Sequence, residues 1–88
     1  MNEREILELI RNTTLQKGFI LTEHASDQAA IRKMRSPDIS DILLNANRVI
    51  RNDIGKYGDN IYKIKGGAKN RSLAVCIAKN GTLIITVM

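Results

Sequence analysis

Eighty-eight residues, 43% of them apolar and only 3% aromatic, make one domain with a single two-layer aliphatic core. A lone cysteine excludes an internal disulfide framework, and no apolar run approaches the roughly 20 residues that span a bilayer. The polar start Met1-Asn-Glu-Arg-Glu is unlike a secretory signal, so a cytoplasmic protein without membrane contact is expected. The net charge of +5 is uneven: residues 1–31 hold three basic and five acidic side chains, residues 32–88 eleven basic and four acidic. Such a basic C-terminal half suits a polyanion or an acidic partner, the plain alternative being a basic but merely solvated surface.

Asn2 to about Gln16 reads as an amphipathic helix capped by Asn2, with Ile6, Leu9, Ile10 and Thr13 on one stripe and Lys17-Gly18 as its stop. Phe19 to His24 reads as a short strand, and Ala25 to Met34 as a second helix whose alanines permit close approach to a sheet. Ser36 as cap and Pro37 at the first helical position start a third helix, with Ile39, Ile42, Leu43 and Ala46 inward and Asn47 as its end. Arg48 to Ile54 is a strand, and Gly55 to Asp59 a turn.

Three more strands follow, Asn60–Lys65, Ser72–Ala78 and Thr82–Met88. Asn80-Gly81 accepts positive φ at both centres of a two-residue type I′ turn, which pairs Lys79 with Thr82, Ile77 with Ile84 and Val75 with Thr86. That register puts Leu73, Val75, Ile77, Ile84 and Thr86 on one face. Both faces of the hairpin are largely apolar, so helices must cover at least one. The expected fold is α+β in the order α-β-α-α-β-β-β-β, an antiparallel sheet of four to five strands with helices on one face. Tyr62 and Ile64 point one way and Lys63 and Lys65 the other, which predicts an opposite face that is partly basic and open.

His24 is the only histidine, placed at a strand-to-helix junction and suited to act as general acid or base near neutral pH; a hydrogen-bonded, structural histidine is the alternative. Arg32, Lys33 and Arg35 cluster at the end of the second helix, where they also suit its dipole. Lys63, Lys65 and Arg71 lie on or beside the C-terminal strands. Together these cations can hold a phosphodiester backbone, with Tyr57 or Tyr62 to stack on a base, unless Tyr62 belongs to the core. Cys76 lies mid-strand among Val and Ile and reads as a core residue. One His and one Cys do not make a metal set, and no cofactor is expected.

Residues from about Phe19 to Met88 resemble a family of short, uncharacterised bacterial domains near the RelE/ParE-like toxins, in the wider barnase–EndoU–colicin–RelE group of ribonuclease folds. The resemblance is carried by Thr22-Glu-His24-Ala25, by Arg32 at the second arginine position of the following helix, by Gly55-Lys-Tyr57-Gly58 and by the ending Ile84-Ile-Thr86-Val87. Gln28 stands in place of the first arginine, the gap from Arg32 to Ile39 is long, and the first seventeen residues lie outside the match. The resemblance implies a metal-independent RNA cleavage site or a degenerate descendant of one. His24 would be its acid or base, Arg32, Lys63, Lys65 or Arg71 its phosphate holders, and Thr86 an orienting group. A non-catalytic domain of the same fold, docking an antitoxin-like protein or a second copy of itself, is the alternative it leaves open.

Overall fold

The computed structural model describes residues 2–55 and 58–88 and holds the eight elements in the expected order. Helix α1 (Glu3–Lys17) starts at Asn2, whose side-chain oxygen accepts from the Glu5 N–H at 2.9 Å while the Glu5 carboxylate accepts from the Asn2 N–H at 3.3 Å. It ends at Gly18, and strand β1 (Phe19–Leu21) follows, shorter than the expected run to His24. The Thr22 hydroxyl accepts from the Ala25 N–H at 3.1 Å, so Thr22 caps helix α2 (Glu23–Ile31) and His24 belongs to its first turn.

Helix α2 stops three residues before the expected end. Lys33 takes φ 56°, its N–H donates to Ala30 O, and the Met34 N–H donates to Ala29 O at 2.8 Å. This pair of closing bonds satisfies the last carbonyls and turns Met34 into the core. Helix α3 (Ser36–Asn45) has Arg35, not Ser36, at its cap position. The side chain that completes the cap is Asp38, accepting from the Arg35 N–H at 2.9 Å. That bond, with the Lys69 ammonium at 3.8 Å, holds the Asp38 carboxyl below its ordinary value. Strand β2 (Ala46–Ile54) starts directly behind α3, two residues earlier than expected. Strands β3 (Asn60–Gly66), β4 (Arg71–Ala78) and β5 (Gly81–Val87) complete the chain.

The five strands form one sheet in the order β1-β5-β4-β3-β2. Four strands joined by tight turns pair antiparallel, as their short connections require. β1 instead lies parallel to β5, so the sheet is mixed and not antiparallel throughout. Where β1 ends, α2 takes over the edge of β5. Thr22 donates its N–H to Ile84 O at 3.0 Å, and the Gln28 side-chain oxygen accepts from the Val87 N–H at 2.9 Å.

The β4–β5 hairpin departs from the expected register. Its loop residues are Lys79 and Asn80, flanked by the Ala78–Gly81 pair, and Val75 lies opposite Ile84. Beyond that pair Ile85 is an extra residue, because Ala74 pairs with Thr86 and Leu73 with Val87. This bulge turns Val87 toward the helices and Thr86 away from them, the reverse of the expected arrangement.

All three helices contribute to one core on one face of the sheet. Ile10, Ile39 and Leu43 meet Ile64, Leu73, Val75, Ile84 and Val87, each sealed from solvent. Burial of such a side chain stabilises the fold by about 1.5–3 kcal/mol. α1 joins this layer through Ile6 and Ile10, so it leaves the other sheet face uncovered. No described helix is long and apolar enough to cross a membrane.

Candidate nucleic-acid interface

Strand register determines which side chains stand on the uncovered face. Lys63 and Lys65 alternate with the buried Tyr62 and Ile64 and therefore point away from the helices. Lys65 lies opposite Arg48, and Lys63 opposite Arg51. Residues three apart on a regular strand face opposite sides. Here Ile50 is an extra residue between the Val49–Ile64 and Arg51–Lys63 pairs, and this bulge returns Arg51 to the face that Arg48 occupies. Val49, between the two arginines, packs against the core.

Two like-charged pairs thus stand side by side on one open face. Like charges directly opposite in a ladder weaken it, where a matched pair would contribute about 0.2–1 kcal/mol. Among the described residues, the only ion pair on these rows is between Arg51 and Asp53, at 3.2 Å. Both of its side chains are largely exposed, so it offsets little.

The pairs extend into rows across the sheet. Arg51, Lys63, Ala74 and Thr86 are successive register partners on β2, β3, β4 and β5; Arg48, Lys65 and Ser72 form the neighbouring row. Adjacent members of a row are about 4.8 Å apart in the strand-to-strand direction. Four cations and two hydroxyls therefore share one surface, the donor set that phosphate oxygens take. Beside these rows the face turns apolar, with Cys76 opposite Leu83 and Leu83 beside Ile20, which is 49% exposed. Burial, helped by the nearby Asp59 charge, pushes the Cys76 thiol above its ordinary value, which suits a packed residue and not a nucleophile.

The residues singled out in the sequence separate into two groups. Lys63, Lys65 and Thr86 come together on the open face. Arg32 and Arg35 lie at the α2–α3 connection, on the helix-covered side. Arg71 pairs with Gly66, one residue out of step with the Lys65–Ser72 pair, and so takes the helix side of the ladder. Tyr62 is 5% exposed within the core, so it has no face to offer a base. Tyr57 lies outside the described residues.

His24 is exposed on α2, one turn before Gln28 and on the same stripe of the helix. α2 stands beyond β5, and β5 is two strands from Lys63, so the ring starts roughly 10 Å or more from the strand of that lysine. Grooves formed by the described residues lie elsewhere. One of about 450 Å³ runs between α2 and α3 along Ser26, Met34 and Arg35, and one of about 290 Å³ lies between α1 and Leu44. Among the described residues, no group of three or more His, Cys, Asp or Glu side chains lies together as a metal site.

Sequence reasoning missed Arg48, Arg51 and Ser72. The signal for the arginines was hidden by the bulge, since a strict two-residue alternation places Arg48 and Arg51 on opposite faces. No family model matches the chain, and no curated protein or solved structure does.

Proposed function

We propose that this domain binds RNA by its phosphodiester backbone on the open sheet face, as a degenerate relative of the metal-independent ribonucleases its motif resembles. The observation that carries this reading is the juxtaposition of Arg48 with Lys65 and of Arg51 with Lys63. Cations placed against each other at the expense of the ladder find their counter-charge in a polyanion. Ser72 and Thr86 add neutral donors beside them. His24 lies off these rows, so binding does not depend on it.

The test is RNA affinity as a function of salt. Three to four neutralised phosphates predict a log–log slope of roughly −2 to −3 on a single strand. The double variant R51Q/K63Q makes the slope shallower by about 1.4, while its urea midpoint stays level or rises because the like-charged pair is gone. Unchanged affinity in that variant, or an affinity indifferent to salt, overturns the reading. Incubation of the same RNA in EDTA with wild type and His24→Ala is expected to leave it intact in both; cleavage by wild type alone would restore a catalytic role for the histidine.

A further inference from the structure

An open cationic sheet face commonly holds single strands by adding aromatic side chains on which the bases stack, each worth about 1–3 kcal/mol. This face has no such platform among the described residues. Tyr62 is buried on the helix side, and Phe19 packs against the core. What the two rows present is four cations and the hydroxyls of Ser72 and Thr86, with no aromatic ring among them. These groups are matched to phosphates and 2′-hydroxyls, and contacts of that kind carry no sequence information. A paired helix also presents phosphates at higher density than a single strand, and it displays its 2′-hydroxyls in an open minor groove while its bases are stacked away.

We infer that the open face reads double-helical RNA, by shape and backbone, in preference to unpaired strands and without regard to sequence. The inference rests on the RNA-binding reading above and names the form of RNA it takes.

Fluorescence anisotropy with a mixed-sequence RNA duplex, each of its separated strands and a second duplex of scrambled sequence tests it. The expected result is equal affinity for the two duplexes and binding about sixfold weaker for either strand near 0.1 M salt, because four contacts each release more counterion from a duplex (slope about −0.9 per phosphate) than from a single strand (about −0.7). The Tyr57→Leu variant is expected to keep the same duplex preference. Strands that bind as tightly as the duplex, a difference between the two duplexes, or a preference that changes in Tyr57→Leu each overturn the inference while leaving RNA binding intact. No binding to RNA in either form removes both readings together.

Discussion

A buried hydroxyl pair shows how much direction matters at the scale of single residues. Thr14 donates its only hydroxyl proton to Ile10 O at 2.8 Å, and its oxygen lies 2.9 Å from the Thr82 hydroxyl. The Thr82 hydroxyl must therefore be the donor between them. Thr14→Val removes that acceptor and leaves a donor sealed in the core at 0% exposure, a loss of about 1–3 kcal/mol. Thr82→Val leaves the Thr14–Ile10 bond in place and is expected to cost less than about 1 kcal/mol. Urea midpoints of the two variants measure the asymmetry, and equal losses would contradict the bond directions. Gln28 follows the same logic. It stands where the toxin-like pattern has an arginine, yet its oxygen accepts from the Val87 N–H, and a guanidinium has no acceptor to give. The departure from the pattern is a fastening of α2 to β5.

At the scale of elements, Asn80-Gly81 was a correct hairpin signal for a different physical reason. Asn80 does not take positive φ, and Gly81 is the first residue of β5 and not the second of a type I′ turn. Gly81, at φ 135°, is held there by close approach: a Cβ on it would sit 2.6 Å from Gly18 O, the atom that accepts the Thr82 N–H. The glycine thus admits β1 to the sheet edge. Gly81→Ala is expected to lower stability by about 2 kcal/mol, roughly 10 °C in the melting midpoint of a domain this size. Asn80→Ala should melt within about 2 °C of wild type. A type I′ turn would make both substitutions costly, so thermal melts of the pair separate the two accounts. The bulges are the other device at this scale. Ile50 and Ile85 each shift their strand by one residue, bringing Arg51 and Thr86 onto the open face and Val87 into the core.

For the whole molecule, division of labour between the sheet faces is what matters. One face carries the entire helical layer, α1 included, and the other is left to solvent. α1 lies outside the toxin-like pattern but supplies Ile6, Ile10 and Thr14 to the core. Deletion of residues 1–17 is therefore expected to abolish cooperative unfolding in circular dichroism, since two buried isoleucines and their cover are lost together. A shortened chain that still melts cooperatively would show α1 to be an accessory.

Local chemistry, written in adjacent residues, decided much on its own: the order of elements, the Asn2 cap, the apolar stripes of α1 and α3, and the alternation that turned Lys63 and Lys65 away from Tyr62 and Ile64. Each of these depends on groups a few residues apart and on a fixed period of 2 or 3.6. Tertiary structure alone decided that β1 runs parallel beside β5, and that one extra residue in β2 sets Arg51 beside Lys63. Both are choices of partner between distant segments. A single inserted residue reverses the facing of everything beyond it, and no periodicity read along one strand registers that before its neighbour is in place.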